Sequence, residues 1–362
     1  MKGIFGSDIV KYFDKVTFVV LLLLATTGVV LIYSAAYSTD QSYYIKQLVW
    51  LIFSVVVFFV VFLVKIEKVF EFSLYIYSIL LAVLVIQLAA GQITSGTKSW
   101  IKTGFFNIQV SEFVKIALAV YLAKLCTKFS VIGWKEFFKL IVVIGVPFVL
   151  IAAQPDLGTA FMLVSFFLML VFLKRIKAAI VIITLAALIG LSFSAWTYVL
   201  KPYQKDRLIA FLNPGKYRKS SGYQIIQSRI AIGSGGLTGK GYLNGTQSQY
   251  KFLPTRHTDF IVSVLGEEFG FLGISFLLLL FLLLFYRQFN LQEARSDEEF
   301  YYVYLFNGLI LFQFLINVLV SIGLFPVLGV PLPFVSYGGS SLLALFIGEA
   351  LVFRVKINHY LP

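Results

Sequence analysis

Asp259 has the clearest chemical position in this sequence. It follows Arg256, His257 and Thr258 and stands at the mouth of a long apolar run, 259–285. A carboxylate at a lipid–water boundary, beside a basic segment, can act as a general base. A helix dipole would lower its pKa and partial desolvation would raise it. The same residue can instead cap the helix that follows. Glu112 and Lys115 lie three apart in another apolar run, a spacing that puts both on one helical face. Charge inside a membrane span is costly and usually functional. The pair is therefore either a mutually neutralising strut or a polar wall with a cation available for phosphate. Asp156, followed by Gly158 and Thr159, suits a helix cap. Glu267, Glu268 and Glu349 lie deeper and read as ties between helices. His257 and His359 are the only histidines and Cys126 the only cysteine. That leaves no paired-His motif, no multi-thiolate metal site and no internal disulfide.

The elements that must carry these residues are membrane helices. Of 362 residues, 59% are apolar and 13% charged, against about a quarter charged in a soluble domain. This composition excludes a soluble enzyme, a disordered chain and a disulfide scaffold. A spanning helix needs ~20 mostly apolar residues. Apolar runs lie near 16–35, 46–64, 72–90, 110–126, 140–154, 157–173, 178–199, 259–285, 301–325 and 338–354. The expected fold is an all-α polytopic membrane protein of ten transmembrane helices, one domain over 1–362, with a large extracytoplasmic loop at 200–258 between the seventh and eighth. Backbone bonding in hydrocarbon requires helix. With the N-terminus inside, sixteen Lys and Arg fall on cytoplasmic segments and three, Lys46, Lys98 and Lys102, on short outer ones. The bias puts both termini in the cytoplasm.

The 200–258 stretch holds ten Lys and Arg against the single acid Asp206. Long loops are exempt from the orientation rule. So basic an outer loop suits an anion, and its glycines, Gly233 to Gly236 and Gly239 to Gly241, allow close backbone approach or anion-binding nests. No P-loop or dinucleotide pattern is present.

Several blocks resemble the SEDS proteins (shape, elongation, division and sporulation). They are Gly222 to Ser228, Ile232 to Gly236, Gly239 to Gly241, the run FLPTRHTDFIVSVLGEEFG from Phe252 to Gly270, Trp100, Gln109 to Lys115, Gln154 to Thr159, and PLPFVSYGGSS from Pro331 to Ser341. Arg256 before His257-Thr258-Asp259, and Gln204 to Pro214, look like the elongation branch rather than the division branch. The text at Gly215 to Ser221 and Val110 departs from the family pattern.

The resemblance implies a peptidoglycan glycosyltransferase at the outer face of the bacterial cytoplasmic membrane. It would join lipid II, a disaccharide-pentapeptide on undecaprenyl pyrophosphate, into β-1,4 glycan chains during cell elongation. It assigns Asp259 the key catalytic role and adds Trp100 and Asp156 to the substrate-binding set. It also implies a class B penicillin-binding protein, a single-span transpeptidase, as partner. The residues fit this chemistry. A positioned carboxylate base is worth typically about 10²–10⁴-fold, and the leaving pyrophosphate needs cations, for which Lys115, Arg207, Lys240 and Arg256 are candidates. One-step attack on an α-linked donor gives inversion. No cofactor is required by the sequence, a divalent cation stays open, and nucleic acid is not expected. The competing readings are a lipid II flippase, whose charges would line a pathway, and a scaffold that only recruits an enzyme.

Overall fold

The computed structural model describes residues 11–90, 98–102, 107–129, 131–199, 202–215, 221–289, 294–358 and 360. The basic text at 216–220, part of the expected anion-binding loop, lies outside the described residues. Helices α1 (Lys15–Ala36), α2 (Ser42–Phe62), α3 (Ile66–Glu71) and α4 (Ser73–Ala90) come first. A two-stranded antiparallel ribbon, β1 (Trp100–Lys102) with β2 (Asn107–Gln109), leads into α5 (Val110–Thr127). Next come α6 (Trp134–Ala153), α7 (Leu157–Met162), α8 (Val164–Leu173) and α9 (Ala178–Ser194). Then follow α10 (Pro202–Leu212), α11 (Ser221–Gly235), α12 (Thr246–Gln249), α13 (Ile261–Phe289), α14 (Asp297–Ser321) and α15 (Gly339–Asn358).

Each apolar run in the sequence is helical over most of its length. Five helices, α1, α2, α6, α13 and α14, are long and apolar enough by themselves to cross a membrane. The protein is a mostly helical, polytopic membrane protein. Helix α5 is enclosed by α4, α14 and α15. The buried Ala117, Ala119 and Ala123 let those neighbours approach closely. Large apolar side chains elsewhere face outward, among them Phe138, Phe172 and Leu282, as lipid contact allows.

At one end of the bundle Asp14 caps α1 and collects three helices. It accepts from the Thr17 amide at 3.1 Å, Arg287 Nη2 at 2.8 Å and Lys356 Nζ at 2.9 Å. Lys124 donates to the Phe70 and Glu71 carbonyls and Lys174 to that of Phe129. Lysines that set the charge bias thus also satisfy helix C-terminal carbonyls, where cations are favoured.

The 200–258 stretch, expected as a large loop, carries helices of its own. It contains α10, α11 and α12, and α11 lies against α13 so closely that a Cβ on Gly235 would meet the Gly266 carbonyl. Ser228 Oγ bonds Ser263 Oγ at 2.6 Å, and Arg229 donates to the Ile322 and Gly323 carbonyls at the end of α14. The glycine-rich text serves a different purpose from an anion nest. Helix α13 breaks at Gly270 (φ 62°, ψ −155°). The 236–241 segment closes the gap in its hydrogen-bond ladder. Lys240 N and Gly241 N donate to the Glu267 and Glu268 carbonyls, and Phe271 N and Leu272 N to those of Gly236 and Leu237, all at 2.9–3.1 Å. Gly239 (φ 83°) sits against this break where any side chain would collide with the Glu268 backbone.

Candidate active site

Asp259 sits two residues before α13, in a turn that one carbonyl organises. Thr255 O accepts from Thr258 N and Asp259 N, each at 3.1 Å, and from Phe260 N at 3.4 Å. Thr255 itself holds a left-handed backbone (φ 49°), a strain that persists where surroundings over-determine it. The first-turn amides of Ser263 and Val264 bond the Phe260 carbonyl. Asn317 of α14 reaches across with one amide group, donating to Asp259 O at 3.0 Å and Val330 O at 2.8 Å. The turn and the 329–331 backbone are therefore fixed to each other, and Gly329 faces the Asp259 carboxylate. Burial pushes the Asp259 carboxyl up to about 6, against the opposing pull of the Arg207 charge and a bond from Thr258. At pH 7 the group is ionised yet a far better base than a free aspartate.

The Arg207 charge on α10 supplies a pH prediction. Replacing Arg207 with Ala removes the cation that favours ionised Asp259. For Asp259 as a general base, the acid limb of a rate–pH profile is expected at about 6 with Arg207 in place, and it should move alkaline by roughly one unit or more in the variant. In that role activity in both proteins should rise with pH through the limb, because a general base works deprotonated. An unchanged limb in a folded Arg207→Ala protein would separate Arg207 from Asp259.

A second polar cluster lies at the N-terminal start of α5. Lys115 Nζ and Glu112 Oε1 are 2.9 Å apart, and both side chains are no more than 5% exposed. At that burial an ion pair that loses one member is destabilising. Asp156 stands close enough to feel both charges. Burial raises its carboxyl, the Thr159 amide and hydroxyl lower it, Glu112 raises it and Lys115 lowers it; the net shift is upward. Asp156 does cap α7, through Thr159 N at 3.2 Å, and it also accepts from Gln109 Nε2 at 2.6 Å. Gln109 pairs with Trp100 across the β1–β2 ribbon. Gln109 and Asp156 are thus bonded beside the Glu112–Lys115 pair, and Trp100 joins them through the ribbon backbone.

The two clusters share a boundary. A Cβ on Gly158, next to the Asp156 cap, would meet the Leu328 carbonyl at 2.4 Å, and one on Gly329 would lie 4.0 Å from Asp259 Oδ2. The 328–329 backbone separates the α5 wall from the Asp259 turn, and only glycine allows this approach from Gly158.

Two of the cations named from sequence are engaged elsewhere. Lys240 Nζ is 2.8 Å from Glu267 Oε1, a carboxylate that also accepts from Thr246 Oγ1, Gln247 N and Ser248 N. Buried Arg256 donates through Nε to the Ala35 carbonyl at the end of α1, with Nη2 near Ser38 and Thr39 hydroxyls. The Arg207 charge acts on Asp259, Lys115 and Glu112 pair beside Asp156, and Lys240 and Arg256 bond Glu267 and the end of α1. Sequence reasoning did not single out Asn317, Gln109 and Gly329. The block positions of Gln109 and the Pro331 loop were visible, but nothing in the text links Asn317 to a residue 58 positions away.

Residues 14–361 match the family described as Cell cycle protein, FtsW/RodA/SpoVE. Relatives include the peptidoglycan glycosyltransferase MrdB of Escherichia coli (strain K12), 40% identical over 291 residues, which cover 78% of this chain and 77% of that protein. The peptidoglycan glycosyltransferase RodA of Treponema pallidum (strain Nichols) is 33% identical over 426 residues, with 96% and 98% covered. Among solved structures, a chain from work on the coordination of polymerization and crosslinking by a peptidoglycan synthase complex aligns with a TM-score of 0.85 at 28% identity, covering 97% of this chain and 99% of that one. The rod shape determining protein RodA of Thermus thermophilus aligns at 0.73 with 27% identity, covering 97% and 98%. On the match over residues 14–361 and on these relatives, the chain belongs to the FtsW/RodA/SpoVE family of cell cycle proteins.

Proposed function

We propose that this chain is a peptidoglycan glycosyltransferase that joins lipid II disaccharide units into β-1,4 glycan at the outer face of the bacterial cytoplasmic membrane during elongation. The observation that carries the reading is the pair of facing clusters: a half-buried carboxylate with a raised pKa under the Arg207 charge, and a buried lysine-carboxylate wall across the 328–329 backbone. Sugar hydroxyls are poor nucleophiles until a base takes their proton. In this reading Asp259 accepts the proton of the acceptor 4-hydroxyl as its oxygen attacks C1 of the donor sugar. The C1–oxygen bond to the lipid pyrophosphate breaks with inversion. Lys115 and Arg207 stabilise the charge that gathers on the leaving group. Pyrophosphate leaves unprotonated, so a second carboxylic acid is not needed, unlike in glycosidases.

The relatives named as peptidoglycan glycosyltransferases support this reading. The likeness to a chain of a complex that couples polymerization with crosslinking supports a class B penicillin-binding protein as partner. We place ten crossings on α1, α2, α4, α5, α6, α7 with α8, α9, α13, α14 and α15, with both termini in the cytoplasm. Reporter fusions after Lys65, Lys128, Lys174 and Arg295 should read cytoplasm, and fusions within 210–245 should read exterior. A cytoplasmic signal from 210–245 would overturn this topology. Activity itself is tested by incubating purified protein, with and without its transpeptidase, with labelled lipid II and resolving polymer on a gel.

One observation favours the flippase alternative. Transporters use broken helices, and α13 is broken at Gly270. In transporters, however, the free helix ends meet the cargo. Here the ends at Glu267, Glu268, Phe271 and Leu272 bond the chain's own 236–241 segment. The break is filled by backbone, which favours chemistry at the rim.

A further inference from the structure

Two residues ahead of Asp259, His257 is the centre of a ring cluster to which the reaction scheme gives no task. Its imidazole stacks on Tyr43 of α2, with centroids 4.7 Å apart at 28°. Tyr337 meets both edge-on, at 5.0 Å from Tyr43 and 5.8 Å from His257. All three side chains are half-buried. Membrane proteins carry tyrosine belts at the lipid boundary, and Tyr33, Tyr37 and Tyr44 nearby fit that description. The His257 cluster differs in being pinned by polar bonds. Tyr337 N donates to His257 O at 2.9 Å, and Ser336 Oγ donates to Thr258 O. Gln47, from α2, donates to Ser336 O and accepts from Gly338 N. Phe334 takes a left-handed backbone (φ 63°) in the same loop. Such strain and cross-bonding fix the rings before any ligand arrives, and a preorganised site loses less entropy on binding.

We infer that Tyr43, His257 and Tyr337 form a sugar-stacking platform that seats a hexopyranose ring of the acceptor against Asp259. The inference rests on the glycosyltransferase reading. A pyranose presents an apolar C–H face and hydroxyl edges. Tyrosine and histidine rings offer apolar faces with polar tips to match. Burial, and then the Arg256 charge, lower the His257 pKa, so its ring is neutral at pH 7 and keeps one nitrogen as an acceptor. The base must lie within hydrogen-bond reach of the hydroxyl that it deprotonates. We assign the seated ring to the acceptor, because its hydroxyl must reach Asp259, two residues along the same turn.

The test has two arms. In steady-state polymerisation of lipid II, Tyr337→Leu and Tyr43→Leu should raise KM about tenfold while kcat changes less than about threefold, as expected for lost binding without lost chemistry. Tyr337→Phe, which keeps the ring face and loses only the polar tip, should raise KM by less than Tyr337→Leu does. In the second arm the wild-type protein in micelles is mixed with N,N′-diacetylchitobiose, and saturation transfer from protein to the sugar C–H protons is read by NMR. Transfer that fades in the leucine variants supports the platform. Unchanged KM in folded leucine variants, or no transfer to the disaccharide with wild-type protein, overturns it. A wild-type protein that makes no polymer would remove the glycosyltransferase reading instead, and the NMR arm alone would then decide whether the rings bind sugar.

Discussion

Asp259→Asn should reduce polymer formation by at least about 10²-fold, the low end for a lost general base. The change keeps the shape of the side chain and leaves the backbone bonds of the turn untouched, since Asn317 grips the main-chain carbonyl of residue 259 and not its carboxylate. Folding should hold, and removal of a buried ionisable group can even help. Lipid II binding should persist, because Lys115, Arg207 and the lipid-facing helices are intact. The activity remaining should lose the acid limb at about pH 6 that the raised carboxyl imposes. Near-normal polymer from a well-folded Asp259→Asn protein would eliminate Asp259 as the base and reopen Glu112 as the candidate.

The second large effect concerns Lys115. Lys115→Ala should cost about 10²–10³-fold in rate, the size found when one preorganised charge stabiliser is removed. It also leaves Glu112 buried without its partner at 2.9 Å, so expression and melting temperature must be followed alongside. Glu112→Ala should impair activity as well, by freeing Lys115 from the position in which the pair holds it. The double change should be less than additive, since residues in direct contact couple. A rate untouched by either single change would make the pair a passive strut. Equal loss of folded protein in both would assign it to stability alone.

How much of this was legible in the sequence depends on where the partners of each residue lie. The helices were, because an apolar run reports its own burial. The helix expected from 140 begins at Trp134, where Gly133 N donates to Glu136 in a capping arrangement and Lys135 and Lys139 face outward from the apolar run. The Glu112–Lys115 contact follows from helical spacing alone, and the Asp156 cap from its neighbours. The helices inside the 200–258 segment are not legible in the sequence, because α10 and α11 are polar and draw stability from tertiary contacts such as those of Ser228 and Arg229. The break at Gly270 lies inside an apolar run, and the segment that fills it is some 30 residues upstream. Arg256 and Lys240 were read as anion ligands because sequence shows charge but not its partner. Arg256 is turned to carbonyl and hydroxyl groups at the end of α1, which attracts cations, and Lys240 to Glu267.

The most direct measurement places labelled lipid II in the outer leaflet of proteoliposomes that hold the purified protein and its transpeptidase, and follows polymer and leaflet exchange together. The account predicts glycan ladders drawn from the outer leaflet with wild-type protein, and none above background with Asp259→Asn. Exchange of lipid II between leaflets without polymer, and insensitive to Asp259→Asn, would contradict it.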